Sequence, residues 1–358
     1  ETGRANKRTV LALKARTALY AASPLFNSHQ EGSQGYKELW YRAAKANKEL
    51  IETCEDAGMR LIDDYENLWD AKSYSIAIDE LIFGCRAIRA TNSFEKYNFP
   101  VGLENCRGGN CPTQTLVDAY ELKDSGERPD KKADYDKNKP YYEGRDPRFE
   151  KTIAKNGDTK WPNWNETALE TYQGGANAEP LSGGTPTGYY LKKYCQTSIN
   201  TTTAKPTTDN HTWIIYRLGE FYLNYAEALF KYLGTAYATN NEFPIPANEM
   251  VSKTRRRTKV NMPKFPAGLD NKLWWEKYQN ERMVELAFEG HRFWDVRRWK
   301  EGDKHFSSID EMKIYKSGDS YSYRRVTVNR QWDDKMYFFP IPQSEKAKNP
   351  NLTQNPGW

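Results

Sequence analysis

The sequence predicts an all-α, mainly helical fold: tetratricopeptide-like helical pairs interrupted by long irregular loop insertions. Three observations predict it. Apolar stripes at helical spacing recur near both ends, with Leu11, Ala15, Leu19 and Ala22 in one segment and Leu218, Phe221, Tyr222, Tyr225 and Leu229 in another. Residues 280–299 read as a further helix, with Met283, Leu286, Ala287, Gly290 and Trp294 along one face. Between these ends, Asn156 to Thr208 shows no regular period yet carries Trp161, Trp164 and Tyr172 among Gly, Thr and Asn. A stretch that long without pattern is either functional or disordered, and its aromatics argue against disorder.

In chain order, Arg8 to Ala22 is a helix stopped by Ser23-Pro24. Lys37 to Glu55 is a second, with Trp40, Ala44, Asn47 and Ile51 on its stripe. Alanine where the two would cross suggests a helical hairpin. Leu61 to Trp69 is a connector, and Ile76 to Arg89 carries helix and strand signals at once. Asn92 to Pro112 reads as loop, Thr113 to Tyr120 as a short helix, and Lys123 to Pro147 as charged turns. Helix is expected again from Trp213, with Gly219, Ala226 and Ala228 permitting close approach to a partner over Asn248 to Thr258. Leu273 to Gly290 and the run after it make a third pair, followed by a proline-rich extended tail. The expected organisation is one domain over 1–358. Its helical scaffold would occupy 1–75 and 211–358, and a loop-rich, ligand-binding region 90–210.

Glu281, Glu285 and Glu289 repeat every four residues, a spacing at which like charges repel. The helix therefore needs cations, and Arg282, Arg292, Arg297 and Arg298 are the near ones. A solvated charged face is the next reading. Two carboxylates one turn apart also match a retaining glycosidase pair, but such acids would have to be unpaired.

Composition narrows the function classes. The mean hydropathy of −0.92 hints at a thin core, but 24 Tyr and 11 Trp supply large buried area with polar tips. No run of eighteen apolar residues exists, so no helix is expected to span a membrane. A net charge of +5 from 53 basic and 48 acidic residues points to no nucleic-acid partner. The densest basic cluster, Arg255, Arg256 and Arg257 with Lys253 and Lys259, lacks interleaved aromatics and reads as a positive helix face. Cys106 and Cys111 bracket a flexible Arg-Gly-Gly-Asn turn, so a local disulfide stays open. The four histidines show no metal-ligand spacing, and no nucleotide or serine-hydrolase motif occurs. The expectation is no cofactor, with calcium left open.

Several collinear segments resemble one family. Gly3 to Lys7 with Leu11 to Tyr20, Gln114 to Tyr120, Arg145 to Phe149, Thr187 to Tyr194, Arg217 to Ala228, residues 280–299 and Gln354 to Trp358 are each similar to SusD/RagB signatures. The match loosens at Val251 to Met262. The resemblance implies a SusD-like fold and non-catalytic capture of a glycan at the bacterial outer-membrane surface. It implies a SusC-like TonB-dependent transporter as partner. It also implies a signal peptide, a lipid-anchored cysteine and a first helical repeat ahead of this sequence, with part of the glycan-contacting surface. Peptide capture, as in a RagB-like member, and an α-helical glycoside hydrolase are the alternatives.

A sugar ring offers an apolar C–H face edged by hydroxyls and calls for an exposed aromatic flanked by amides or charges. Trp161 and Trp164, with Asn163 and Asn165 between and beside them, have that composition as candidate ligand-binding residues, and Tyr97, Tyr172 and Tyr142 are weaker candidates. The same aromatics could instead pin the long loop to the helices.

Overall fold

A computed structural model describes residues 4–358; Gly3, at the head of the Gly3–Lys7 stretch, lies outside them. Helix α1 (Lys7–Ala22) begins where the Asn6 side chain accepts from the Thr9 N–H, and α2 (Gln34–Asp56) where Ser33 accepts from Tyr36. The two pack as the expected hairpin, with Ala12, Ala15, Ala43 and Ala44 buried at the crossing. Residues 76–89 resolve into a turn of helix and a strand, β1 (Leu81–Arg86). Two short helices follow, α3 (Ser93–Asn98) and α4 (Gln114–Ala119).

The segment from Trp213, read as helix, begins instead as β2 (Thr212–Arg217), paired antiparallel with β1. Helix starts only at α5 (Leu218–Leu233), which packs on α2 and on α6 (Ala247–Arg255). Gly234 at φ +77 ends α5, its N–H donating to the Phe230 carbonyl. Next come α7 (Asn271–Glu285) and α8 (Arg292–Arg298). A hairpin of β3 (Ser308–Ser317) and β4 (Ser320–Asn329) was not foreseen. Gly318 at φ +60 opens its two-residue turn, as the strand twist favours. The fold is helix-rich, 37% helix and 12% strand, with small sheets. Its largest core cluster joins α1, α2, α5, α6 and α7 through Trp40, Phe221, Leu229 and Trp274.

The long helix expected over 280–299 is broken. Phe288 and Gly290 take φ of +59 and +80, and Trp294 is 45% exposed rather than on a buried stripe. The reason is electrostatic. In a continued helix the Glu285 carbonyl would accept from the Glu289 N–H. Here it accepts from Arg217 Nη2 at 2.8 Å and from the Tyr65 hydroxyl at 2.6 Å. The break also turns Glu289 back onto Arg217 Nε at 2.7 Å.

The acidic row is paired, but not by the nearby arginines. Glu281 holds Arg148 (2.7 Å) and Arg255 (3.0 Å); Glu285 holds Arg148 (2.7 Å), Arg217 (2.8 Å) and Arg257 (2.9 Å); Glu289 also holds Lys193 (2.7 Å). Arg282 and Arg298 are engaged by Asp295 at 2.6 and 2.9 Å, while Arg297 lies over the Phe293 ring. Arg255 and Arg257 are therefore interior ion-pair partners, which corrects the reading of their cluster as a solvated positive face.

Candidate ligand-binding site

Three cores fix the irregular region. In one, Phe99 collects Trp161, Leu169, Tyr190, Ala154 and Cys195. Trp161 is only 6% exposed, meeting Phe99 edge-on with centroids 5.4 Å apart. It cannot offer a ring face to a sugar. Short of aliphatic side chains, this segment uses the indole to hold the loop. Trp164 is half-buried beside it, its ring 6.5 Å from Phe99 and its Nε1–H donating to the Ile199 carbonyl at 2.8 Å. Asn163 is exposed between them, fixed through its N–H to the Thr197 carbonyl. Tyr142 is half-buried, stacked on Phe149. Tyr172 belongs to another face, its ring 5.9 Å from Tyr321 and under Lys316 of the hairpin. The structure thus brings Trp161 and Trp164 together as an anchor and leaves Tyr172 apart.

Tyr97 differs from all of these. It sits two residues before Phe99, so α3 buries the phenylalanine and turns the tyrosine outward, 54% exposed. Among the described residues it pairs with no other ring, so its π-face stays available. Its ring edge is held by Gly109, where an added Cβ would fall 2.3 Å from Tyr97 Cε1. Only glycine lets the 104–111 loop close this far. The Gly109 N–H also donates to the Tyr97 carbonyl at 2.7 Å.

Ser93, Lys96, Tyr97, Asn105, Cys106 and Arg107 line a cavity of about 530 Å³ there. Asn105, at φ +64, donates from Nδ2 to the Thr201 carbonyl at 2.8 Å, which ties the loop to the 200–203 segment. Cys106 and Cys111 are both free thiols; Cys106 Sγ meets Thr201 Oγ1 at 3.2 Å. Burial pushes both thiols up, so neither is an activated nucleophile. One exposed aromatic face ringed by an amide oxygen, a hydroxyl and cationic donors is what a sugar ring requires. A cavity of similar size, about 520 Å³, lies on the scaffold beside Tyr41. There the Tyr41 ring already packs on Tyr232 and Phe243, leaving no free face.

Sequence reasoning reached Tyr97 but missed Lys96, Asn105 and Arg107, which sit in segments read only as loop or as a possible disulfide turn. The Gly-Gly pair at 108–109 was the available signal, since adjacent glycines mark close backbone approach.

Glu285 and Glu289 are unsuited to act as general acids. Arginines hold Glu285 far below the usual carboxylate range, and Arg217 and Lys193 bring Glu289 down to about 2 against the opposing effect of burial. A general acid must keep its proton near neutral pH, and these do not. Among the described residues no group of three His, Cys, Asp or Glu could hold a metal ion.

The family model described as SusD family matches residues 80–358. The chain belongs to the SusD family. Solved SusD-like structures agree with the fold. A SusD-like protein from Bacteroides fragilis is 27% identical with a TM-score of 0.77, covering 100% of this chain and 66% of its own. A SusD-like carbohydrate-binding protein from the same organism is 24% identical, TM-score 0.73, covering 98% and 65%. A laminarin-binding SusD-like protein is 21% identical, TM-score 0.59, covering 99% and 63%. This SusD-family chain thus spans about two-thirds of the length of the structures it resembles. No curated protein matches it.

Proposed function

We propose that this SusD-family chain captures a glycan at the outer-membrane surface without cleaving it and hands it to a SusC-like TonB-dependent transporter. The observation that carries the reading is Tyr97, an exposed, unpaired ring fixed at the rim of a cavity lined by Asn, Ser, Lys and Arg. Stacking on one ring with a few hydrogen bonds gives modest affinity, which suits a protein that must release its ligand. Among its structural relatives are a carbohydrate-binding and a laminarin-binding protein. Family membership supports a surface location, held by a lipid anchor. No helix among the described residues is long and apolar enough to cross a membrane. A second exposed surface supports the transporter contact: Phe293, Trp294 and Phe339 lie within 6.3 Å of one another by ring centroid, with Phe26 and Phe338 paired at 6.4 Å. Contiguous exposed apolar surface of this kind marks protein interaction sites.

Peptide capture is the second reading, favoured by the lack of a tryptophan at the cavity. Affinity electrophoresis through a panel of polysaccharides, with reducing ends assayed in parallel, separates the readings. Retardation by a glycan without new reducing ends is the expected result. No retardation by any glycan would move the assignment to peptides, and released reducing ends would make the protein a hydrolase.

A further inference from the structure

We infer that the Tyr97 cavity is built for an acidic sugar, one carrying a carboxylate or sulfate; this rests on the glycan-capture reading above. Two cations line the cavity, the half-buried Lys96 on α3 and the exposed Arg107 on the facing loop. Among the described residues neither forms an ion pair. Other lysines near this region are neutralised by acids: Lys155 and Lys192 share Asp158 at 2.8 and 2.6 Å, and Lys193 holds Glu289 at 2.7 Å.

Neither acid of this segment forms an ion pair with the cavity cations. Glu95 is buried, accepting from the Gln196 N–H at 2.9 Å and meeting His211 Nε2 at 2.8 Å. Glu104 accepts from the Thr203 N–H at 2.7 Å. Both are thus committed to the 196–211 segment, while Lys96 and Arg107 face the cavity beside the free ring. Two cations on one cavity wall with no acid paired to either make the local potential positive, which attracts a bound anion. The guanidinium fork also suits a planar carboxylate or a sulfate, with two parallel N–H···O bonds. A neutral glycan would use the ring and the amide but leave both charges uncompensated.

The experiment is affinity electrophoresis in polygalacturonate, dextran sulfate and neutral glycans including dextran. It compares the intact chain, the Lys96→Gln/Arg107→Gln double variant and a charge-matched Lys131→Gln/Lys137→Gln control. Lys131 and Lys137 are exposed on a different loop and line none of this cavity. The intact chain is expected to prefer an acidic polymer, the preference falling with added salt. Lys96→Gln/Arg107→Gln should weaken acidic-polymer binding about tenfold, and the control should not. Polygalacturonate against dextran sulfate tells carboxylate from sulfate.

A preference that survives in Lys96→Gln/Arg107→Gln, or that falls equally in the control, would overturn the inference as simple net-charge attraction. Binding to neutral glycans alone would also overturn it while leaving glycan capture standing. Binding to none of the polymers would remove both.

Discussion

Glu285→Gln is expected to lower folding stability by about 3–5 kcal/mol, the cost of leaving buried charge unpaired. Glu285 is fully buried and touches Arg148, Arg217 and Arg257 at once. Glutamine keeps the shape but supplies one acceptor oxygen and no charge. Glu80, Asp146, Glu281 and Glu289 also hold these arginines, but the site then carries one net positive charge more in a low-dielectric interior. The effect should reach the backbone too, because Arg217, which caps the Glu285 carbonyl, loses the carboxylate that steadies it. Urea unfolding followed by circular dichroism measures it. The matched control is Glu345→Gln, whose only ion pair among the described residues is the exposed contact with Lys348 and which should change stability by less than about 1 kcal/mol. Equal midpoints for the two variants would contradict the account of the ion-pair core.

Stability is also expected to fall steeply on acidification, in two overlapping stages. His291 is buried, and burial brings its imidazole down from 6.5 to about 4 against the pull of Glu220. The unfolded chain therefore binds this proton first, and stability drops as pH falls from about 6.5 towards 4. The second stage belongs to the paired carboxylates. Burial alone would raise Glu289, but Arg217 and Lys193 outweigh it and hold it at about 2 against 4.5 unpaired. Glu285 and Asp295 are lowered in the same way by their arginines. A depressed folded value means stability that is complete above about pH 4.5 and lost down to about pH 2, roughly 3 kcal/mol for Glu289 alone. Thermal unfolding across pH 3 to 8 should show a melting temperature that declines below pH 6.5 and collapses below 4.5. Added salt should not restore it, since buried pairs are poorly screened. A melting temperature constant to pH 3 would rule out the paired interior.

What the sequence disclosed depended on how local the cause was. The helices α1, α2 and α5 follow from their own apolar spacing. The need for cations around Glu281, Glu285 and Glu289 was legible from like charges four residues apart. Their identity was not: Arg148 lies 133 and 137 residues from the acids it binds, and nothing local favours it over Arg282. The same distance hid the helix break, because periodicity continues through residues 286–290 and it is Arg217 and Tyr65 on the Glu285 carbonyl that stop it. The Thr212–Arg217 strand was misread because its aromatic and β-branched run fits either state until β1 pairs with it. At the site, loop aromatics have one composition whether they pin or bind. Phe99 decided the matter, drawing Trp161 inward while Tyr97 on the same short segment stayed outside. That Lys96 and Arg107 have no ion pair among the described residues, with Glu95 bonded to Gln196 and Glu104 to Thr203 instead, is a tertiary fact that sequence does not carry.

The most direct test of the binding assignment is calorimetric titration of the intact chain and of Tyr97→Ala with an oligosaccharide from whichever polymer retards it. Tyr97 is 54% exposed and pairs with no ring among the described residues, so its truncation should lower the melting temperature only slightly, through its contact with Gly109. Affinity should drop about tenfold or more, the equivalent of some 1.4 kcal/mol of lost stacking. Unchanged affinity in a folded Tyr97→Ala protein would contradict the account, and the glycan would have to sit on another face of the molecule.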